Sequence, residues 1–235
     1  MLIKILKRIF STVFGLLAII LVGISAYEIL FMKTIYNLDG IFFSFTVIGI
    51  LSWLSAALLS SSFLDAANKR KSMRYGCILF FTFYCLILIN LLFTGGRNFS
   101  INSTPTMNFS HRLDLKTNFV PFRTILRYIN GSDHYSQNII IQNIAGNIFL
   151  LAPMGLFLPV LFSKLKQFRF YILFVFLGIL VIETTQFFTN LGTFDIDDII
   201  LNLSGAVLFF FVCKLKPIQW FLRKMRLIGW IVNSE

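Results

Sequence analysis

Acidic residues, histidine and cysteine are all scarce in this chain. Its 235 residues include ten Asp and Glu, two His and three Cys. The cysteines, Cys77, Cys85 and Cys213, all fall inside apolar runs, which argues against a disulfide framework, a redox pair and a zinc site. The histidines, His111 and His134, lie in one polar stretch without a second ligand at a zinc-like spacing. We therefore predict no metal site from these residue types.

Polar residues are too few to cover a soluble domain of this size. Hydrophobic residues make up 57% of the chain, and charged residues only 13%. Apolar runs with few charges indicate membrane spans when they are long enough to cross a core of about 30 Å. The sequence therefore predicts an all-α integral membrane protein of about six transmembrane helices. The predicted spans are Ile9–Met32, Ile41–Phe63, Tyr75–Phe93, Ile139–Phe162, Phe170–Phe188 and the short Asp198–Val212.

The formal net charge of +11 would suit a nucleic-acid partner in a soluble protein. Here the basic residues lie in the segments between apolar runs, so we expect attraction to anionic lipid and no nucleic-acid partner. Most of them fall at the amino terminus, in the second and fourth connections and in the tail. Because cytoplasmic segments are enriched in Lys and Arg, both termini of this multi-pass chain are predicted to be cytoplasmic.

Two segments outside the spans have a pattern of their own. The third connection, residues 94–138, is long and polar and is predicted to lie on the outer face. From Phe122 onward its apolar residues follow helical spacing, which predicts a short helix on the outer interface. The tail, residues 214–235, mixes Trp220 and other apolar residues with Arg223 and Lys224. It is predicted to form a basic amphipathic helix on the cytoplasmic leaflet.

Polar side chains inside a span are costly, and therefore point to contacts between helices or to function. Asn143 and Asn147 are four residues apart and share one face of the fourth span. Hydrogen bonding between helices and a place in a site explain them equally well. Pro153 is expected to kink the same helix near the middle of the membrane.

The strongest candidates for chemistry lie in the fifth and sixth spans. Glu183 stands roughly one to two turns from the outer end of its helix, three residues before Gln186. A buried glutamate in a span is by default a candidate for function. Asp195 is predicted to cap the sixth helix, with Asp198 in its first turn. Capping explains neither three carboxylates within residues 195–198 nor Asn202 one turn below Asp198.

These spacings predict an outward-facing pocket of acidic and amide groups. Such a pocket suits a divalent cation, a general base or an arginine partner such as Arg112 or Arg123. The spacing of the carboxylates matches no calcium-binding loop. No metal is therefore assigned, and the sequence names no cofactor.

The same segments, in this order, resemble the VanZ-like family of bacterial membrane proteins between about Tyr75 and Cys213. The resemblance is carried by Asn118-Phe-Val-Pro121-Phe122, Asn143-Ile-Ala-Gly146-Asn147 with Pro153-Met-Gly155, Glu183-Thr-Thr-Gln186, and Phe194-Asp195-Ile-Asp197-Asp198 with Asn202-Leu-Ser-Gly205. It implies a four-helix core over residues 75–213, after a two-helix extension over residues 1–74, in the bacterial cytoplasmic membrane. It also implies lowered sensitivity to teicoplanin and related lipoglycopeptides, without naming a reaction.

The first hypothesis is a protein that acts on a cell-envelope or lipid component through this pocket and so lowers drug sensitivity. Its chemistry is assigned to Glu183, Asp195 and Asp198. Its binding residues are Gln186, Asn202, Asn143, Asn147, Asn118, Arg112 and Arg123. The expected partners are membrane lipids, with a lipid-linked envelope precursor or the lipoglycopeptide itself. The alternatives are a membrane enzyme acting on a lipid-linked phosphate, and a non-catalytic transporter, flippase or assembly partner.

Overall fold

The computed structural model describes residues 2–30, 38–63, 66–93, 113, 116–130, 137–189 and 191–224. Across these ranges helices make up nearly all of the regular structure, and the strands form one bridge of two residues each. The prediction of an all-α membrane protein is confirmed. The chain divides into two compact units, Met1–Gly96 with Gln219–Glu235, and Arg97–Ile218.

The first unit is built on three long helices, α1 (Leu2–Leu30), α2 (Leu38–Ser62) and α3 (Ala66–Phe93). Each of them contacts the other two. Small and hydroxyl side chains mark where α1 and α2 meet. The Ser11 hydroxyl donates to the Ser55 carbonyl at 2.8 Å, and the Ser55 hydroxyl donates back to the Ser11 carbonyl at 2.8 Å. Gly15 lies one turn along, and a Cβ added there would stand 2.9 Å from the Ser55 hydroxyl oxygen. The close approach of these two helices therefore depends on small residues.

The second unit follows the long polar connection. Its elements are β1 (Thr117–Asn118), α4 (Arg123–Asn130), α5 (Gln137–Leu150), α6 (Met154–Leu161), a 3-10 helix (Ser163–Lys166), α7 (Phe168–Phe188), β2 (Phe194–Asp195) and α8 (Ile196–Val212). Helix α8 lies at the centre of this unit, because it contacts α4, α5, α6 and α7. After α8 the chain bends by 74° into α9 (Lys216–Lys224).

Two helices predicted outside the spans are present. The helix expected from Phe122 onward is α4, which begins at Arg123. The helix expected in the basic tail is α9, with Arg223 and Lys224 in its last turn and Trp220 exposed. The tail beyond residue 224 lies outside the described residues.

The fourth predicted span is broken at its proline. Helix α5 ends at Leu150 and α6 begins at Met154, with Pro153 as the residue before α6. A turn joins them, in which the Gly155 N–H donates to the Ala152 carbonyl at 2.9 Å. Proline has no N–H to donate and its ring crowds the preceding turn, so it ends the hydrogen-bond ladder of α5. The predicted kink is therefore confirmed, in the stronger form of a helix break.

Helix α8 approaches its neighbours closely at glycines. A Cβ built on Gly205 would overlap the carbonyl oxygen of Ile148 in α5, and one built on Gly155 of α6 would overlap the backbone of Phe210. Tyr171 of α7 is fully buried, and its hydroxyl donates to a backbone carbonyl of α8 at 2.8 Å. Helix pairs in membranes are held by such close packing and by hydrogen bonds between helices.

Four helical segments of the described chain are long and apolar enough to cross a membrane. They are Leu2–Tyr27, Ala67–Phe93, Asn143–Leu161 and Phe168–Phe188. A fifth qualifies if α8 and α9 together form one bent span, and Thr46–Ser62 of α2 is a shorter apolar helix. The predicted count of six spans stays a prediction, while the lengths and compositions of these helices are those of a membrane protein.

Candidate functional site

A short parallel bridge joins the segment before α4 to the segment before α8. Thr117 pairs with Phe194, and Asn118 pairs with Asp195. The ring of Phe119 packs against that of Phe194, with the ring centroids 5.6 Å apart. The bridge brings the Asn118 side chain to the first turn of α8, 77 residues further along the chain.

Asp195 caps α8, as its position in the sequence predicts. Its side chain accepts a hydrogen bond from the Asp197 N–H at 2.9 Å. The same carboxylate accepts from the Asn118 side-chain amide at 2.9 Å and from the Thr124 hydroxyl at 2.7 Å. Asp195 therefore holds α4 and β1 as well as its own helix, and only 7% of its surface is exposed.

Asp197 is the most deeply buried carboxylate of the described residues that form this region, with 0% exposure. The N–H groups of Phe122 and Thr124 donate to its two oxygens at 2.5 and 2.6 Å, and the Ile125 N–H donates at 3.2 Å. The first N–H groups of a helix have no partner within that helix, and the helix dipole favours a negative charge there. Asp197 thus caps α4 from outside. We call Asn118, Thr124, Asp195 and Asp197 the carboxylate latch.

The sequence pattern indicates no part for Asp197 in the site, and its role is evident only from the structure. The available signal was that three carboxylates in residues 195–198 exceed what one helix cap needs. Its partners gave no signal, because they are backbone N–H groups that residues of almost any type supply.

Asp198 points away from the latch to a different helix. The Asn147 side-chain amide of α5 donates to its carboxylate at 2.5 Å. The Asn202 side-chain amide donates to the Asp198 backbone carbonyl at 2.9 Å, one turn along α8. The structure therefore brings together three of the predicted site residues, and 4% of Asn202 is exposed.

Glu183 and Gln186 are buried near the end of α7. Their exposed fractions are 3% and 9%. Helix α7 contacts both α8 and β2, and the Gly192 N–H donates to the Gln186 carbonyl at 3.0 Å as the chain turns toward β2. Both side chains are thus removed from solvent on a helix that packs against α8, the helix that carries Asp198. We call Asn147, Glu183, Gln186, Asp198 and Asn202 the polar set.

The other predicted site residues lie outside the polar set. Asp195, which was predicted to carry chemistry, and Asn118 both belong to the latch, where the Asn118 side chain donates to Asp195 and Thr124. Asn143 of α5 and Arg123 at the start of α4 are exposed. Arg112 lies outside the described residues. Their roles in binding stay predictions.

The two groups of carboxylates differ in what they can do chemically. Each latch carboxylate accepts three hydrogen bonds, which holds it in place as a structural acceptor. The polar set offers carboxylate and amide oxygens together with amide N–H donors, which suits recognition of a polar ligand. Across the described ranges, no three His, Cys, Asp or Glu side chains come together as metal ligands would.

Many membrane proteins are helical units with a partly buried set of polar side chains. Comparison with known proteins places this chain in one family among them. Residues 81–217 match the VanZ/LLP1 family. This stretch is more than half of the chain and contains the whole latch and the whole polar set, so the chain belongs to the VanZ/LLP1 family. No curated protein and no solved structure matches the chain.

Proposed function

We propose that this VanZ/LLP1 protein lowers sensitivity to teicoplanin and related lipoglycopeptides by acting on a cell-envelope or lipid component. The action takes place at an outward-facing pocket of acidic and amide groups formed by the polar set. The family resemblance supports the link to these drugs. The packing of α5 and α7 on α8 supports the pocket.

One observation carries the pocket. Asp198 of α8 receives a hydrogen bond from Asn147 of α5, between two apolar helices of a membrane protein. Glu183 and Gln186 are buried on α7, which packs against α8 as well. Ionisable groups at membrane depth are costly, and where they persist they commonly face one another or a polar ligand. One structural hydrogen bond between α5 and α8 would need only one carboxylate. Glu183 is a second carboxylate, and it lies on a different helix.

The orientation is part of the proposal. Both termini lie in the bacterial cytoplasm, and the ends of α7 and α8 that carry the polar set face outward. The supporting observation is that residues 189–197, between α7 and α8, contain no Lys or Arg, whereas residues 163–169 at the other end of α7 contain three. Alkaline phosphatase fused after Asn130 should be active in a bacterial host, and the enzyme fused after Lys166 should be inactive. The reverse pattern would overturn the orientation.

The functional test is complementation of a strain that lacks this protein. Glu183→Gln and Asp198→Asn keep size and hydrogen-bonding capacity but remove charge. Each should return teicoplanin sensitivity to that of the deletion strain, at normal protein level in the membrane. Thr184→Val and Ser204→Ala are the matched controls, because both residues are exposed on the same two helices. These controls should retain full resistance.

The result that counts against the proposal is full resistance in both charge-removing variants at wild-type protein level. Incubation of the purified protein with envelope lipids, with and without a divalent cation, then separates recognition from reaction. Loss of lipid phosphate that depends on wild-type Glu183 would assign an enzyme. Movement of labelled lipid across reconstituted vesicles, with no change in the lipid, would assign a transporter or flippase.

A further inference from the structure

The turn before α4 and one side of α4 itself expose large apolar side chains next to basic ones. The apolar members are Phe119, Val120, Phe122, Leu126 and Ile129, with exposed fractions of 63, 55, 53, 51 and 57%. Arg123 and Arg127 are also exposed and lie one helical turn apart. We call these seven residues the α4 surface.

The helical positions arrange this surface in two parallel rows. At about 100° per residue, Leu126 and Ile129 fall on one strip and Arg123 and Arg127 on the strip beside it. Thr124 is on the opposite side, where its hydroxyl bonds Asp195 of the latch. The side of α4 that faces away from the protein therefore has an apolar row and a basic row, as in helices that lie in a bilayer interface.

The latch fixes where this surface lies. Asp195 and Asp197, which hold α4, are the cap and the first turn of α8, an apolar helix. Helix α5, part of the candidate span Asn143–Leu161, begins seven residues after α4 ends. The α4 surface is thus held at the end of apolar helices, where the hydrocarbon region gives way to headgroups.

The backbone is held in a costly conformation that keeps one of these rings outside. The backbone φ angle of Phe122 is 64°, in the left-handed region that a bulky residue rarely adopts. Its N–H is bonded to Asp197, and its side chain remains 53% exposed. The bond to Asp197 accounts for the strained backbone, and a membrane that covered the exposed ring would add the gain of burying it.

We propose that the α4 surface binds anionic phospholipid in the adjoining leaflet. The apolar row and the ring of Phe122 enter the acyl-chain boundary, and Arg123 and Arg127 bind lipid phosphate. Arginine suits this role because its planar donors match phosphate oxygens in pairs. This inference does not rest on the proposed function, since it would stand even if the variants of Glu183 and Asp198 kept full resistance.

The test uses the full-length protein in nanodiscs, with an environment-sensitive fluorophore on Leu126→Cys. The unsubstituted protein, which retains Cys77, Cys85 and Cys213, measures background labelling. Quenching of this fluorophore is measured separately with phosphatidylglycerol and with phosphatidylcholine. Both lipids carry the same quencher at the level of the headgroup. Each basic residue near an anionic surface contributes a preference of about fivefold. Arg123→Gln and Arg127→Gln should each lower the ratio of the two quenching constants by about that factor.

The matched control is Lys164→Gln with Arg169→Gln, which removes two exposed charges about 30 Å away, at the other end of α7. The local quenching ratio should be unchanged in this variant. Equal quenching by the two lipids in the wild-type protein would overturn the proposal. So would loss of the preference when inorganic phosphate replaces chloride at constant ionic strength, because that result would assign a site for free anions instead of a lipid surface.

Discussion

Replacing Asp197 by Asn should release α4 from α8 while leaving the rest of the unit folded. The carboxylate of Asp197 accepts three backbone N–H groups and is fully buried. An amide at this position keeps one acceptor oxygen and places an NH₂ group against the remaining donor. At least one of the N–H groups of Phe122, Thr124 and Ile125 then loses its partner.

The size of the effect follows from these bonds. A buried donor without a partner costs about 1–3 kcal/mol, and each of the two remaining bonds loses roughly 1 kcal/mol when its acceptor is no longer charged. The sum is about 3–5 kcal/mol, which matches the typical cost of breaking a buried charged contact. At 1.36 kcal/mol per factor of ten, opening of the latch should become about 160- to 5,000-fold more frequent.

Amide hydrogen exchange measures this opening directly, because local unfolding exposes the N–H groups involved. In Asp197→Asn, the amides of Phe122, Thr124 and Ile125 should exchange faster by the factor given above. The matched control is Asp198→Asn, whose amide oxygen can still accept from Asn147, so that these three amides should be little affected. Wild-type exchange in Asp197→Asn, or equal acceleration in the two variants, would refute the assigned role of Asp197.

Two further predictions concern packing around α8. Gly205→Ala should lower the free energy of unfolding by about 1–3 kcal/mol, because its methyl group meets the Ile148 carbonyl, whereas Gly178→Ala meets nothing within 4 Å and should be neutral or stabilising in thermal unfolding. Tyr171→Phe removes a buried hydrogen bond and should cost about 1 kcal/mol in the same assay, while Tyr75→Phe at a 57% exposed position should cost little. Equal effects in either pair would contradict the assigned contacts.

The parts of this fold that sequence predicts are those set by neighbours along the chain. The cap by Asp195 involves the N–H two residues on, and Asn202 bonds the carbonyl four residues back. The helix break at Pro153 follows from proline itself. The membrane class follows from composition, but the number of spans does not. A difference of a few residues decides whether a short or bent helix is long enough to cross the membrane.

The parts that sequence did not predict depend on contacts between distant segments. Asp197 meets N–H groups 72 to 75 residues away, and Asn147 meets Asp198 across 51 residues. Asn147 and Asp198 could be assigned to one pocket from their residue types, but their direct contact depends on how α5 crosses α8. That crossing is set by Gly205 and the Ile148 backbone, which carry no polar signal.

The adjacent carboxylates Asp197 and Asp198 have different roles. Asp197 stabilises the structure, whereas Asp198 is a candidate for chemistry. Successive residues point about 100° apart on a helix, so Asp197 faces α4 while Asp198 faces α5. Asp197 cannot take up a ligand without giving up donors that hold α4. Asp198 accepts from the side-chain amide of Asn147, which a ligand in the proposed pocket would replace. If Asp197→Asn loses drug resistance, amide hydrogen exchange in α4 should also be faster. If Asp198→Asn loses drug resistance, exchange in α4 should be unchanged.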